Sequence, residues 1–195
     1  MDTKKAQVGE SVKKNIEEKS DSKGALTIIP FGNIDRLILS VVAAHLQTLL
    51  GLNADIEPVN ENPKFAFISG RRQYDAIKII GKLARGPNSS LQLGIIGNDL
   101  CTPILTFVYG ESQLGGKAAV VSIYRLKHYN RQITCERAAK ISLHEVGHLL
   151  GIGHCRQNFC LMRFCGNLDD LDQLPLTFCS TCDYEINRQL KALIL

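Results

Sequence analysis

The spacing of apolar residues changes several times along the chain, between the two-residue period of strands and the 3.6-residue period of helices. Residues 25–32, ALTIIPFG, form a short apolar run that ends at proline and glycine, which predicts a buried strand. Residues 34–50 then show apolar spacing typical of a helix, and residues 53–60 and 64–70 predict short extended segments. The chain therefore begins as a strand, a helix and further extended pieces.

The middle of the chain continues this alternation. Residues 73–84 predict a helix that buries Ile77, Ile80 and Leu83 on one side. Residues 89–100, SSLQLGIIGNDL, are rich in leucine and β-branched side chains and predict another strand, closed by a Gly-Asn pair. Strands and helices thus alternate through this part of the chain.

A hairpin-like edge is predicted within residues 104–126, because two extended segments are joined there by a glycine-containing connection. If the segment Ile104 to Tyr109 or its partner is an exposed edge strand, it could pair with an extended peptide through backbone hydrogen bonds. The stretch GESQLGGKA departs from a phosphate-binding loop, since an extra glycine precedes Lys117 and alanine replaces the required hydroxyl residue. A glycine turn between strands is the simpler interpretation.

A long helix is predicted after Asn130, followed by a loop-rich stretch and a last helix near residues 183–193. The core stripe of the long helix has the spacing i, i+4, i+7, i+11 and comprises Ala139, Leu143, Val146 and Leu150. The buried side of the last helix comprises Ile186, Leu190 and Leu193. Strands interleaved with helices predict an α/β (α+β) fold, with helices packed on a mixed, mostly parallel sheet that has an antiparallel edge strand.

Composition limits the possible classes of protein. The chain has 195 residues with a formal net charge of +4, and its basic and acidic side chains are interspersed, which gives no footprint for nucleic acid or a membrane surface. The first 24 residues are rich in lysine and acidic residues and nearly free of large apolar ones, so we expect residues 1–24 to be a disordered tail and residues 25–195 a single domain. Lacking a signal-peptide core and long apolar spans, the chain is expected to be cytoplasmic.

Residues 144–155, HEVGHLLGIGHC, contain the strongest chemical pattern. His144 and His148 are four residues apart and lie on one face of a helix, close enough to share one cation. A continued helix would carry His154 about 15 Å further along its axis, whereas zinc ligands lie about 2.0–2.1 Å from the metal. The helix must therefore end, and Gly151 is where the chain can turn back in a left-handed conformation.

Glu145 points about 100° round the helix from its histidine neighbour, beside the metal and away from direct ligation. A carboxylate there can take a proton from a zinc-bound water. A single histidine in this stretch would be interpreted as an ordinary hydrogen-bonded side chain. A chance match to the full H-E-x-x-H-x-x-G-x-x-H pattern is, however, on the order of one in ten thousand for a chain of this size. The pattern therefore indicates a zinc hydrolase.

The seven cysteines contain a second candidate metal site. Two close pairs, C-x4-C and C-x-x-C, give the grouping of a closed tetrahedral zinc site, formed by Cys155, Cys160, Cys179 and Cys182. Cys165 could replace Cys160 as a ligand, and a redox pair, a disulfide or free buried cysteines are alternatives. Cys101 and Cys135 stand alone and are interpreted as small core residues.

The extended histidine motif, the cysteine set and CLMRF together resemble the archaemetzincin family of metzincin-type metalloproteases, and GRRQYDA and VYGESQLGGKAAVVSIYRL extend the likeness across the globular part. The resemblance implies a catalytic zinc on His144, His148 and His154, with Glu145 as the general base. It also implies a structural zinc on the four paired cysteines, and Met162 in a tight turn beneath the catalytic metal.

The implied architecture is metzincin-like. Residues 25–153 would contain the long active-site helix, and residues 154–195 would form a small zinc-stapled C-terminal part. One departure is Cys165, where the family pattern has serine.

The function that follows is a zinc metalloprotease (hydrolase) that cleaves peptide bonds with a water activated by Glu145 and contains two Zn²⁺ per chain. The alternative is a peptide-binding or scaffold protein whose zinc is catalytically idle. The expected partner is a peptide or protein substrate, with neither nucleic acid nor membrane, and the expected state is a monomer. Arg71 and Arg72 could bind a carboxylate, although surface solvation is the simpler interpretation.

Overall fold

A computed structural model describes residues 25–86 and 91–194. The strands are β1 (Leu26–Phe31), β2 (Ala54–Ile56), β3 (Phe67–Ile68), β4 (Gln73–Asp75), β5 (Leu91–Ile96), β6 (Leu100–Cys101), β7 (Gly110–Ser112) and β8 (Ala118–Ser122). The helices are α1 (Arg36–Leu50), α2 (Ala76–Leu83), α3 (Arg131–Leu149), α4 (Leu168–Gln173) and α5 (Ser180–Ile194). The predicted tail, residues 1–24, lies outside the described residues.

The main sheet has the strand order β2-β1-β5-β8-β7. Its first four strands are parallel, and β7 pairs antiparallel with β8 at one edge, in the register Gly110↔Val121 and Ser112↔Ala119. The predicted mixed, mostly parallel sheet with an antiparallel edge is therefore confirmed. The expected edge position is wrong by a few residues, because residues 104–109 form a loop and the edge strand begins at Gly110.

The helix predicted from residue 73 begins later, because residues 73–75 form β4 in a small second sheet of order β3-β4-β6. Asp75 caps α2 by accepting from Lys78 N at 3.2 Å. The prediction that Ile77 is buried is wrong: its exposed fraction is 49%, whereas Ile79 is fully buried. The buried face of α2 runs i, i+3, i+4, i+7 from its first residue, so Ile80 and Leu83 lie on it as predicted and Ile77 does not.

Two hydrophobic clusters lie on opposite faces of the main sheet. Helices α1, α3 and α5 pack on one face, and α2 with the second sheet covers the other. The predicted core stripe of α3 is fully or almost fully buried, and Ile186 and Leu190 are buried on α5 as predicted. The side chain of Leu193, also predicted to be buried, lies outside the described residues. No helix within the described ranges is long and apolar enough to span a membrane.

Helix α3 meets the loop after it at a glycine. A Cβ at Gly147 would overlap the Sδ atom of Met162, a side chain with no exposed surface. Gly147 lies on α3 between the two histidines of the H-E-x-x-H motif. Close approach of the loop to α3 therefore depends on the missing side chain at this position.

A buried carboxylate ties the second sheet to the loop that precedes β7. Arg125 Nε and Nη2 donate to the Asp99 oxygens at 2.8 and 2.7 Å, and Gln73 Nε2 donates to Asp99 Oδ2 at 2.9 Å. Gln73 also donates to Thr106 O at 2.8 Å. Burial alone would raise the pKa of Asp99, but the hydrogen bonds from Arg125 and Gln73 hold it below its usual value.

We expect Gly147→Ala to lower the free energy of unfolding by about 1–3 kcal/mol, because the new methyl group overpacks against Met162. Gly81→Ala on α2 is the matched control, since a Cβ there meets nothing within 4 Å. It should raise the free energy of unfolding by about 0.5–1 kcal/mol through helix propensity alone. Urea unfolding followed by circular dichroism measures both, and equal stabilisation by the two substitutions would contradict the packing argument.

We expect Asp99→Asn to lower the free energy of unfolding at pH 7 by about 1.5–3 kcal/mol, through loss of hydrogen bonds to a charged group. Because the folded pKa of Asp99 is lowered, its contribution is present above the unfolded value of about 3.9 and is lost as the pH falls through the folded value. The stability difference between native and variant chains should therefore shrink below about pH 4. A difference that stays constant down to acid pH would contradict this assignment.

Candidate active site

Three histidines converge at the end of α3. His144 and His148 lie one turn apart on the helix, and their Nε2 atoms are 3.0 Å apart. One ring nitrogen from each of these two and from His154 fall within 4.8 Å of one another. The structure thus brings all three predicted histidines to one point.

Backbone carbonyls set the tautomers of the two helical histidines. Nδ1 of His144 lies 2.8 Å from Leu161 O, and Nδ1 of His148 lies 2.7 Å from Ile152 O. A carbonyl oxygen only accepts, so each Nδ1 carries the proton and each Nε2 presents a lone pair to the shared point. Burial lowers the pKa of His144 to about 4, which keeps its imidazole neutral as a metal ligand requires.

The chain turns back where the glycine motif predicts. Helix α3 ends at Leu149, and Gly151 has φ +82°, the left-handed conformation expected for it. Its N–H donates to His148 O at 2.9 Å. His154 then packs against Phe164, with ring centroids 5.4 Å apart. The third imidazole is therefore held by the turn before it and by an aromatic neighbour.

Glu145 lies beside the histidine cluster on α3 and faces the edge strand β7. Its side chain is almost fully buried, and Ser112 Oγ donates to its Oε2 at 2.6 Å. Burial raises the pKa of Glu145 to about 8, a rise that the Ser112 hydrogen bond opposes and nearby Glu111 reinforces. Without a nearby cation the carboxyl group is therefore mostly protonated at neutral pH, and a metal ion on the histidines would favour the carboxylate form that can accept a proton.

Four cysteine sulfurs form a second cluster, with Cys155, Cys160, Cys179 and Cys182 all within 4.8 Å of one another. Cys165 is not part of this group and instead lines the cleft described below. A hydrogen bond from the backbone of Cys182 lowers the pKa of Cys179 to about 7, whereas burial raises the pKa of Cys160 and Cys182. Four crowded sulfurs fit a tetrahedral zinc site, in which the cation would favour their thiolate forms.

The two clusters share backbone. Cys155 follows His154 directly, and its N–H donates to Met162 O at 2.8 Å. Met162 packs against Gly147 beneath the histidines, and Leu161 O accepts from His144. One short loop therefore supports the histidine cluster and contributes two sulfurs to the cysteine cluster.

A cleft of about 670 Å³ opens over the histidines. Its upper wall is β7 and the loop before it, which Arg71 fixes by donating to Thr102 O at 3.1 Å and Leu105 O at 3.3 Å. Its far wall includes α4, which the prediction of a loop-rich stretch missed. Arg71 therefore has a structural role in the cleft.

Two cations of α3 hold α4 in place. Arg137 makes a two-pronged ion pair with Asp172 at 2.7 and 2.6 Å. Lys140, with an exposed side-chain fraction of 1%, donates to Leu171 O at 3.0 Å and Asp172 O at 3.2 Å and pairs with Glu136. Sequence spacing identified neither cation as a contact of α4, because their partners on that helix lie more than 30 residues away along the chain.

Ser112 and Gly110 were also missed by the sequence analysis, which interpreted their stretch as a turn between strands. The sequence shows that two residues of a strand two positions apart share one face, but it does not show which helix lies against that face. Finding them required the strand register that brings β7 over α3.

Comparison with known proteins agrees with this geometry. Residues 35–188 match the model of peptidase family M54. The archaemetzincin of Archaeoglobus fulgidus is 34% identical over 148 residues, which cover 76% of this chain and 90% of that protein. The archaemetzincin of Methanopyrus kandleri is 36% identical over 131 residues, which cover 66% of this chain and 74% of that protein.

Solved structures show the same fold. The crystal structure of archaemetzincin from Methanopyrus kandleri has a TM-score of 0.78 and 32% identity, covering 85% of this chain and 94% of that one. The archaemetzincin from Archaeoglobus fulgidus, complexed with malonate, has a TM-score of 0.74 and 31% identity, covering 82% and 99%. The resemblance predicted from the motifs is confirmed, and the chain belongs to peptidase family M54, as a zinc-dependent metallopeptidase.

Proposed function

We propose that the chain hydrolyses peptide bonds at the His144, His148 and His154 cluster, with Glu145 as general base. The observation that carries this proposal is a set of three imidazole nitrogens within 4.8 Å, with a buried carboxylate next to them in an open cleft. Three neutral imidazoles are the ligand set of a catalytic zinc, which keeps one position open. Membership of a peptidase family favours hydrolysis over the alternative of an idle zinc scaffold.

The chemistry divides between the metal and the chain. The three imidazoles would hold a zinc ion, which would supply Lewis acidity toward a carbonyl oxygen and toward water. The carboxylate of Glu145 accepts the proton from the attacking water and later delivers it to the departing amine. Burial of Glu145 excludes bulk water from this transfer, and the hydrogen bonds from His144 and His148 to carbonyls keep their rings oriented.

The substrate class we propose is an extended peptide segment. The edge strand β7 borders the cleft, so a peptide could continue the sheet through backbone hydrogen bonds. Exposed apolar side chains at the cleft, Leu105, Leu114 and Phe164, would contact apolar side chains of such a segment. This arrangement favours peptide binding along the strand.

We further propose that each chain holds two zinc ions with different roles. The histidine site is catalytic, and the site of Cys155, Cys160, Cys179 and Cys182 is structural, since four thiolates leave no position for water. Met162 supports the catalytic site from below, as its packing against Gly147 suggests. The structural site would fix the backbone direction of the neighbouring His154.

We expect Glu145→Gln to lower kcat about 10²–10⁴-fold, through loss of the general base, with zinc per chain unchanged. The assay uses zinc-replete protein with fluorescein-labelled casein and a quenched fluorescent peptide library, together with elemental analysis. Glu185→Gln on α5 is the matched control, because this glutamate pairs with Arg188 at the surface, away from the histidines. Full activity of Glu145→Gln would contradict the proposed role of this carboxylate.

Zinc content tests the ligands independently of turnover. We expect about two zinc ions per chain in the native protein and about one in His144→Ala, since loss of one of three protein ligands weakens the histidine site. One zinc that persists unchanged in His144→Ala would show that only the cysteine site fills and would overturn the catalytic assignment.

We expect the double substitution Cys179→Ser and Cys182→Ser to weaken the catalytic zinc about 10–100-fold as well, because His154 and Cys155 share one stretch of backbone. Competition with a chelator followed by elemental analysis measures this loss. Cys165→Ser is the control, since its sulfur lies outside the cysteine cluster. Full occupancy of the histidine site in the double variant would contradict coupling of the two sites.

A further inference from the structure

The carboxylate of Glu145 fits a slot on the edge strand β7. Ser112 Oγ donates to Glu145 Oε2 at 2.6 Å. Gly110, two residues earlier on the same strand face, provides the space, because a Cβ there would lie 2.6 Å from Glu145 Oε1 and 2.7 Å from its Cγ. Two neighbouring positions of one strand thus accommodate the carboxylate and fix its direction.

No other side chain of the described residues is seen donating a hydrogen bond to this carboxylate. Arg125, Arg137 and Lys140 are committed to Asp99, Asp172 and the carbonyls of α4. A glutamate side chain has several rotamers, and the strand is what selects one here. The direction of the carboxylate therefore depends on β7.

We propose that Ser112 is a positioning residue for Glu145 in peptide hydrolysis, with Gly110 keeping the slot open. The proposal rests on the proposed function of Glu145 as general base. The Ser112 hydroxyl keeps its own proton throughout and transfers none. It occupies one of the lone-pair sites of the carboxylate, and the remaining sites accept the proton from water and return it to the amine.

One difference separates this role from that of an ordinary buried hydrogen bond. A merely structural serine would affect stability or metal content, whatever residue stands at position 145. A positioning serine acts only through the carboxylate, so its removal should have no further effect once that carboxylate is absent. A double-mutant cycle between positions 112 and 145 therefore decides the matter.

The first test measures binding of acetohydroxamate to the zinc-replete full chain by calorimetry. This probe chelates zinc and hydrogen-bonds to an adjacent carboxylate. We expect Ser112→Ala to weaken binding about tenfold, as misdirection of a charged hydrogen-bond partner would do, with zinc per chain unchanged. In the Glu145→Gln background the same substitution should change binding by less than about twofold.

Variants of similar size separate the hydroxyl from its volume. Ser112→Thr keeps the hydroxyl and should retain binding within about twofold of the native chain, whereas Ser112→Cys keeps the volume with a weaker donor and should behave like Ser112→Ala. Ser122→Ala on β8 is the matched control, because it removes a strand hydroxyl that donates to Asn98 O at 2.7 Å, away from Glu145. It should leave acetohydroxamate affinity unchanged.

The second test is kinetic, with labelled casein as the probe. Ser112→Ala should lower kcat about tenfold with KM within about twofold, since only the proton-transfer group is misdirected. The proposal is overturned if Ser112→Ala binds acetohydroxamate like the native chain, if its effect is the same in the Glu145→Gln background, or if it loses zinc. A native chain that cleaves no casein would count against the proposed function, while the binding cycle would still decide the role of Ser112.

Discussion

The site depends on one change of backbone direction. Two histidines on a helix can always face one cation when they are four residues apart, but a third ligand needs the chain to leave the helix within a few residues. Gly151 allows this with φ +82°, and its N–H satisfies His148 O as the helix ends. The same turn places Ile152 O where it orients His148. The convergence of the three imidazoles therefore depends first on where helix α3 ends.

The loop after that turn contacts both helix α3 and the cysteine cluster. Leu161 and Met162 belong to one short segment that orients His144, packs against Gly147 and pairs with the backbone of Cys155. Such a segment has little secondary structure of its own, so its shape must come from contacts at both ends. The cysteine cluster supplies contacts at one end. At the other end, Met162 packs against α3 at Gly147, where no side chain intervenes.

The sequence predicted the parts of the molecule that depend on local spacing. The position of the three histidines, the turn at Gly151 and the core stripe of α3 all follow from helix periodicity and the preferences of glycine. The start of α2 and the position of the edge strand were wrong, because a three-residue strand carries too little periodicity to be separated from a neighbouring helix or loop. Ser112 could not be identified, since its role is set by which helix lies beneath its strand, and that is a tertiary fact.

The ion pair and hydrogen bonds between α3 and α4 affect the mobility of the cleft. Helix α4 has six residues, fewer than an isolated helix needs to be stable in water, so it depends on its contacts with α3. Among these contacts, the Lys140 ammonium donates to two carbonyls near the C-terminal end of α4. It would lose both partners if α4 moved away while α3 stayed in place. Helices α4 and α3 should therefore exchange amide hydrogens as one cooperative unit. The cleft would open only when α3, which carries His144, Glu145 and His148, also loosens.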